Sequence, residues 1–544
     1  MVATTFSSDT PNLVANFVRT QGVAGNWQWW AFTLTGVATV FFYARLWRRS
    51  GVLTDLEFYE LRYSGKAASA VRGFRAVYLG LLFNCMIMAT VNLAACKIAA
   101  VLFGLERWQT LLAVGLLNVV FATHSGLWGV LVIDMIQFFI KMSAVIAAAW
   151  FAVRLPQVGG LSGLVDKLSH LRGPGGLNYL NMLPDFTNQW DLAFAIFILP
   201  ITVQWWSVWY PGAEPGGGSY IAQRMLASKT EKDALAGTLF FNVAHYVLRP
   251  WPWILVGLAS LVIYPELSDI QRAFPHLDPV LVGHDIAYPA MLRFLPAGWM
   301  GLMLGGLVAA NSSTILTHLN WGASYLVHDF YRRFIRQDAA ERHYVLAGRI
   351  ATVLLFLLSS AMVFALDTAQ ASFNLILQIG AGTGLLYLVR WFWWRVTAWC
   401  EIVAMVSSFG ISLIFFLLSR NGVTIGTAKG LIITIATTTI CWIVTAYAGP
   451  PTEEQALTNF YRKVRPPGPG WKPVRALAGA PADEAGDNIP LSLLGWVAGC
   501  MMIWSALFTV GNFLYGRLGY AFGLMGVFGI SAAVLTRVVR RVWK

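Results

Sequence analysis

The chain has 544 residues, of which 57% are hydrophobic and only 12% are charged. Several apolar runs exceed the length of about 18 residues that is typical of a membrane-spanning helix. This composition excludes a soluble globular protein and predicts an all-α polytopic protein of the cell inner (plasma) membrane. The formal net charge is +13. Because the basic residues cluster in short loops between apolar runs, where they set topology, we expect membrane lipid and no nucleic acid as a partner.

The first group of predicted spans covers residues 1–153. It opens with a stretch that contains Pro11 and alternates between polar and apolar residues, which is typical of half of a broken membrane helix. Four further spans are predicted at 29–47, 76–103, 110–122 and 127–153. Residues 154–190, with several glycines and prolines, are predicted to form an outer loop that carries a short surface helix.

A second group of five predicted spans covers residues 191–394, and its first span is interrupted by Pro200. The five spans are predicted at 191–210, 234–263, 296–333, 343–366 and 373–394. Two groups of five that each open with a proline-interrupted helix indicate an inverted-repeat transporter with a binding site near the membrane midplane. The remaining segments are two accessory spans in 395–448, a cytoplasmic linker at 449–490 and a C-terminal helix pair in 491–544.

The span at 296–333 has small residues every four positions and polar side chains in its middle. The small residues, which predict a bare face for another helix, are Gly301, Gly305 and Ala309. In a helix the hydroxyls of Ser313 and Thr314 lie beside the carbonyl of Ala310, and such clustered oxygens suit a hard cation. The alternative is that both hydroxyls only bond to their own helix or join it to a neighbour. On the span alone, this alternative is favoured.

A coupling-ion site in a carrier must be shared by two parts that move relative to each other. Unwound backbone in the first broken helix, near Ala3 to Ser7, would supply carbonyl oxygens opposite the hydroxyls. Asp134 lies inside an apolar span, where a carboxylate is costly unless it faces water or a partner. It is therefore either part of an ion pathway or a structural partner of a buried polar group.

Arg249 lies near the middle of its predicted span, next to Pro250. An unpaired arginine at that depth costs at least about 3 kcal/mol. It either binds an anionic group of the substrate or pairs with a buried carboxylate or carbonyls, and the structural role is favoured. His245, one turn earlier, is more typical of a hydrogen-bonded core histidine than of a proton relay.

Polar residues near the midplane supply the candidate substrate contacts. Hydroxyl and carboxylate groups come from the first broken helix, an aromatic gate from its counterpart, and two amides one turn apart from the start of the last core span. The substrate candidates are Thr5, Asp9, Thr10, Asn84, Trp206, Arg249, Asn374 and Gln378. No G-x-x-x-x-G-K-[ST] sequence is present, which argues against an ATP-driven pump.

Five stretches of the chain resemble the sodium:solute symporter family. They are GVLTDLEFYELRYS, GLWGVLVIDMIQ, YIAQRMLASKTEKDA, AANSSTILTHLNWGASYLVHDFYRRF and RWFWWRVTA. The similarity extends over nearly the whole chain and is specific for the family but not for a substrate. It implies a LeuT-like 5+5 inverted-repeat core with additional C-terminal helices. It also implies that Na⁺ is the coupling ion for uptake of a sugar, amino acid, vitamin or organic acid.

Carried over position by position, the resemblance implies a sodium site and an exit path. The sodium ligands would be the carbonyls of Ala3, Phe6 and Ala310 and the hydroxyls of Ser313 and Thr314. Asp134 matches the acidic residue that the family places near the inward sodium exit. The family's W-G-x-N-Q run before Gln223 is replaced by WYPGAEPGGGSY, so the gate and the substrate class do not carry over.

The start of the chain is a second departure from the family. Members normally have one complete span and the first half of the broken helix before the segment that begins here at Met1. A charged amino terminus at mid-membrane, next to an ion site, is physically unfavourable. We therefore expect the natural start to lie upstream.

The sequence thus predicts a secondary active transporter, not an enzyme, that imports a small polar solute together with sodium by alternating access. It implies no catalytic residue, no metal other than sodium and no obligate protein partner. One alternative is a solute sensor that signals through the 449–490 linker. A less favoured alternative is a membrane-embedded acyltransferase that uses His245.

Overall fold

The regular secondary structure is entirely helical in the residues that the computed structural model describes. These are residues 2–52, 54–124, 127–207, 216, 218–366, 368–423, 425–480 and 488–542. Within them there is no β-strand, and nine helices are long and apolar enough to cross a membrane. The chain is therefore an all-α, multi-pass membrane protein, as its composition predicts.

The first repeat opens with a helix that is broken after one turn. The half-helix α1 (Val2–Thr5) and the helix α2 (Asp9–Gln21) are separated by three non-helical residues, 6–8. Pro11 does not mark the break, because it lies in the first turn of α2, where a missing N–H is tolerated. The unwound backbone is thus shorter than expected and lies at the end of the predicted stretch.

The other helices of the first repeat follow in chain order, with a 3₁₀ turn at Val23–Asn26 and π-helical segments at Thr39–Tyr43 and Tyr78–Phe83. They are α3 (Trp27–Trp30), α4 (Thr33–Ala38), α5 (Ala44–Ser50), α6 (Glu57–Arg62), α7 (Gly65–Val77), α8 (Asn84–Phe103), α9 (Arg107–His124) and α10 (Leu127–Val153). The loop after α10 carries α11 (Gly160–His170) and a 3₁₀ turn at Pro174–Gly176.

The second repeat begins with α12 (Trp190–Ala193), which continues as π-helix over Phe194–Ile198 and Pro200–Gln204. The structure corrects the expected interruption at Pro200, because the helix runs through it. The N–H of Trp205 bonds to the carbonyl of Pro200 at 3.0 Å, so the wider π turn absorbs the proline. Residues 208–215, which the sequence assigned to the end of this span and the following loop, lie outside the described residues.

The remaining elements of the second repeat lead to the central helix α18. They are α13 (Ser219–Leu226), α14 (Glu231–Val243), a π segment Ala244–Leu248, α15 (Pro250–Ile263), α16 (Leu267–Ala273), 3₁₀ turns Pro279–Leu281 and His284–Ile286, α17 (Ala287–Leu292), α18 (Ala297–Ser324) with its π-helical extension Tyr325–Ile335, α19 (Glu341–Val363) and α20 (Ala369–Val389).

The last part of the chain contributes two helix pairs and a folded linker. The elements are α21 (Ala398–Arg420), α22 (Thr427–Ala448), α23 (Glu454–Val464), a 3₁₀ turn Pro469–Trp471, α24 (Lys472–Leu477), α25 (Ile489–Leu514) and α26 (Leu518–Val542). The guanidinium of Arg62 lies 4.6 Å from the centre of the Trp471 ring, and Trp471 Nε1 donates to the carbonyl of Trp391 at 2.8 Å. The linker therefore docks on α6 and the segment after α20.

Helix α18 is the centre of the fold, because it packs against α1, α8, α9, α10 and α19. The close approach to α10 occurs at Gly306, where an added Cβ would lie 3.4 Å from Ala144 Cβ. The expected bare face at Gly301 and Gly305 is exposed instead, with no described atom within 4 Å of an added Cβ. The sequence placed the small-residue contact one position too early, and one residue turns the helix face by about 100°.

Candidate functional site

A small cavity of about 40 Å³ lies beside the break between α1 and α2. It has room for only a few waters. One end is polar and is lined by Thr5, Ser7, Asp9, Thr10, His245 and Arg249. The other walls come from α2, α3, α8 and α20 and consist mainly of apolar side chains, namely Leu13, Val14, Trp29, Ile87, Thr90, Phe373 and Ile376. The structure thus brings together four of the eight substrate candidates.

Among the described residues that line this cavity, Arg249 is the only arginine, and it also touches the half-helix α1. Its Nη1 donates to Oγ1 of Thr5 at 3.3 Å and to the carbonyl of Val2 at 3.5 Å. Its Nε donates to the carbonyl of His245 at 3.3 Å. These carbonyl contacts are those expected for the structural role of Arg249, while its position in the cavity wall keeps it within reach of a solute.

His245 lies between Arg249 and Thr5, as expected for a hydrogen-bonded core histidine. Its Nδ1 is 3.2 Å from Oγ1 of Thr5, and the ring also contacts Nη2 of Arg249. Trp29 packs edge-on against the imidazole at 6.0 Å between ring centres. The histidine is buried among these groups, and its ring nitrogens contact Thr5 and Arg249 in the wall of the cavity.

The start of α2 is fixed by short-range hydroxyl contacts. Ser7 Oγ donates to a carboxylate oxygen of Asp9 and lies 3.3 Å from Oγ1 of Thr10. Ser8 Oγ donates to the carbonyl of Val91 at 3.1 Å, which ties the helix break to α8. The break is therefore held in a defined geometry.

Opposite the break, α18 presents the oxygen cluster that the sequence predicted. Ala310, Ser313 and Thr314 are all buried, and Oγ1 of Thr314 donates to the carbonyl of Ala310 at 3.1 Å. This bond to the same helix is the alternative that the sequence left open. It is compatible with ion binding, because a hydroxyl that donates its proton keeps its lone pairs for a cation. Phe6, in the break, is also buried and packs edge-on against Trp253 at 5.1 Å.

Lys141 is a residue near the site that sequence reasoning missed. It lies on α10 and is 1% exposed, and its Nζ is 5.9 Å from the centre of the Phe6 ring. Its Cα is 3.7 Å from the position of a Cβ at Gly306, so it stands between the break and α18. The available signal was a lysine within a 27-residue apolar helix, where a charge is costly unless it is functional or paired.

The structure places three of the other candidates, Asn84, Trp206 and Asn374, away from this cavity. Asn84 joins α8 to α18, since its Nδ2 donates to the carbonyl of His318 at 2.8 Å and its Oδ1 is 2.6 Å from His318 Nδ1. Trp206 packs on Trp205 and on a separate apolar cluster. Asn374 lines a different, more open cavity together with Gln21. The side chains of Asp134 and Gln378 lie outside the described residues, as does the side chain of Ala3.

The fold and this site define a multi-pass secondary transporter with a LeuT-like inverted-repeat core. The model of the sodium:solute symporter family matches residues 3–407, and the chain belongs to that family. The predicted family and fold are thus confirmed. Na⁺ is the coupling ion, and the protein catalyses symport of a solute with sodium.

Relatives of known function and structure agree with this assignment. The sodium/glucose cotransporter of Vibrio parahaemolyticus is 25% identical over 396 residues, which cover 71% of this chain and 70% of that protein. Sodium/glucose cotransporter 1 of Oryctolagus cuniculus is 24% identical over 409 residues, or 69% of this chain and 58% of that protein. A solved substrate-bound, outward-open Na⁺-coupled sialic acid symporter has a TM-score of 0.62 at 18% identity, and the match covers 83% of this chain and 89% of that one.

Proposed function

We propose that this protein imports a small polar solute across the inner or plasma membrane, with one sodium site between the break in the first helix and α18. The sodium ligands are the carbonyls of Ala3, Phe6 and Ala310 and the hydroxyls of Ser313 and Thr314. The observation that carries the proposal is the pair of oxygens formed by Thr314 Oγ1 and the Ala310 carbonyl, 3.1 Å apart on a helix that packs against α1. Five neutral oxygens match the preference of a hard monovalent cation.

The solute binds in the cavity on the other side of the break. Thr5, Asp9, Thr10 and Arg249 supply hydrogen-bonding and charged groups, and the apolar walls exclude water. The cavity widens when the outer helices open to admit the solute. The relatives are named for glucose, and the solved structure is that of a sialic acid symporter. A sugar and an organic acid are therefore the two candidate solutes that these names favour, and an amino acid is the third candidate.

Coupling follows from linkage. Sodium and solute both bind beside the same break, so each stabilises the arrangement that the other needs and raises the other's affinity by the same factor. Release then proceeds inward, with Asp134 on the exit path of sodium. A sodium gradient maintained across the membrane therefore drives net uptake of the solute.

A thermal-unfolding screen tests the proposal on the purified protein. A panel of sugars, amino acids and organic acids is added in sodium buffer and in potassium buffer of equal ionic strength. A substrate should raise the melting temperature in proportion to the logarithm of its saturation, and more strongly in sodium. A solute that stabilises the protein equally in both buffers would contradict coupling.

Counterflow in proteoliposomes then distinguishes a transporter from a solute sensor. Labelled solute should accumulate transiently in vesicles preloaded with unlabelled solute. A protein that binds the solute in a sodium-dependent manner without counterflow would be a sensor.

A further inference from the structure

We infer that Arg249 is a positioning residue for the proposed sodium site and that it links this site to the solute cavity. The inference rests on the proposed function, because it assumes that the backbone around Phe6 binds sodium. Arg249 thereby has a role beyond the hydrogen bonds that stabilise its own buried charge.

The half-helix α1 needs external support to hold its carbonyls in place. It has only four residues, and a helix of one turn is not stable by itself in water or at a polar site. Side chains of the segment before α15 supply part of that support. Nη1 of Arg249 reaches Val2 and Thr5 at the two ends of α1, and Nδ1 of His245 reaches Thr5 from the same side.

Arg249 also contacts the side chain of the residue whose carbonyl we assign to sodium. Its guanidinium carbon lies 5.5 Å from the centre of the Phe6 ring and 5.4 Å from the centre of the Trp253 ring. These two rings pack edge to face at 5.1 Å. Phe6 is thus held through its ring, while the backbone before it is held through α1. Movement of the guanidinium would move the proposed sodium carbonyls.

The same guanidinium lines the solute cavity, so one group interacts with the solute and with the backbone of the proposed sodium site. A solute that accepts a hydrogen bond from Arg249 changes the forces on α1, and sodium at the break changes the position of Arg249. Arg249 thus transmits the reciprocal coupling between sodium and solute that symport requires. The guanidinium is itself held in place, because its Nε donates to the carbonyl of His245 one turn earlier.

The test is the sodium concentration for half-maximal thermal stabilisation, measured without solute and with potassium keeping the ionic strength constant. Supporting groups around metal ligands typically change affinity by about 10–100-fold when removed, so Arg249→Gln should raise this concentration at least about tenfold. Arg249→Lys should recover part of the loss, because an ammonium keeps the charge but lacks the fork that reaches two acceptors.

Arg19→Gln is the matched control. Arg19 is also a buried arginine that donates to backbone carbonyls, those of Ser260 at 3.0 Å and Pro265 at 3.1 Å, but it lies at the far end of α2. This variant should lower the melting temperature without changing the sodium concentration for half-maximal stabilisation. If Arg249→Gln does not fold, Thr5→Val removes the acceptor shared by Arg249 and His245 and should raise that concentration in the same direction.

Two outcomes separate this inference from the proposed function. If the wild type shows no sodium-specific stabilisation, or if Ser313→Ala with Thr314→Ala leaves it intact, the proposed sodium site is wrong. If that double variant abolishes the sodium response while Arg249→Gln and Thr5→Val respond like the wild type, only the role of Arg249 is overturned.

Discussion

Lys97 of α8 and Asp285 of the 3₁₀ turn His284–Ile286 form a fully buried ion pair, with Nζ 2.8 and 3.0 Å from the two carboxylate oxygens. The neighbouring loop residue, His284, receives a hydrogen bond at Nδ1 from Nε of Arg19 on α2, at 3.3 Å. Two successive residues of this turn thus tie α2 to α8. Both helices also contribute walls to the cavity beside the helix break.

Breaking the buried pair should destabilise the protein strongly. Lys97→Met leaves the Asp285 carboxylate buried without its ammonium, and removal of one member of such a pair costs about 3–5 kcal/mol. Thermal unfolding in detergent measures the effect. Arg272→Gln is the control, because it removes an exposed pair with Asp269 and should cost at most about 1 kcal/mol. Equal losses in both variants would show that the buried pair has no special role.

The connection between α2 and α8 through His284 and Asp285 should also weaken in acid. Burial, and then the nearby Arg19, lower the pKa of His284 below its ordinary value of 6.5, against smaller opposing contributions from Asp285 and Glu266. The folded state therefore binds its proton less tightly than the unfolded state does. Stability is unaffected at high pH and is lost as the pH falls below about 6.5 and through the folded-state pKa.

Melting temperatures between about pH 7.5 and pH 5 test this behaviour. The His284→Gln variant should lose part of the decline that the wild type shows on acidification. His170→Gln, which changes an exposed histidine at the end of α11, should follow the wild type. An unchanged decline in His284→Gln would assign the acid sensitivity to other groups.

The 449–490 linker should depend on Arg62 for its docking. The buried guanidinium contacts the Trp471 ring, and its Nη2 donates to the carbonyls of Trp393 and Trp394 at 3.1 and 3.2 Å. Arg62→Met would leave buried carbonyls without donors, at about 1–3 kcal/mol each. We expect faster hydrogen–deuterium exchange over residues 454–477. Arg462→Met, on the exposed side of the linker, should leave the exchange unchanged, and equal exchange in Arg62→Met would refute the anchor.

The buried ammonium of Lys141 should oppose sodium binding at the proposed site. The ammonium lies 5.9 Å from the centre of the Phe6 ring, and two unit charges about 6–10 Å apart repel by about 0.4–3 kcal/mol at an effective dielectric constant between about 80 and 20. Lys141→Met should therefore lower the sodium concentration for half-maximal stabilisation by about 2- to 100-fold. An unchanged or higher concentration would show that a nearby group compensates this charge.

The sequence predicted those features that depend on apolar length and local geometry. The span predicted at 127–153 coincides with α10, and the bond from Thr314 to Ala310 follows from helical spacing alone. The position of the helix break was harder to predict from the sequence, because Pro11 is as compatible with a first helical turn as with an interruption. A proline therefore pointed to the right helix but not to the residues that unwind.

Contacts between distant segments could not be predicted from spacing. Asn84 was a plausible substrate contact as an isolated polar residue, but its partner is His318, 234 positions later. The same holds for Lys141, whose position beside Phe6 depends on how α10 packs against α1 and α18. Polar residues in apolar helices signal that a partner exists, and only the tertiary structure identifies it.

Direct binding of radioactive sodium to the purified protein tests the central claim, that α18 and the first helix break share a sodium ion. The wild type should bind sodium saturably, and an excess of unlabelled sodium but not potassium should displace it. Ser313→Ala with Thr314→Ala should abolish this binding. Thr434→Val, which removes a hydroxyl bonded in the same way to Gly430 on α22, should retain it. Saturable sodium binding that persists in the Ser313 and Thr314 double variant would contradict the site.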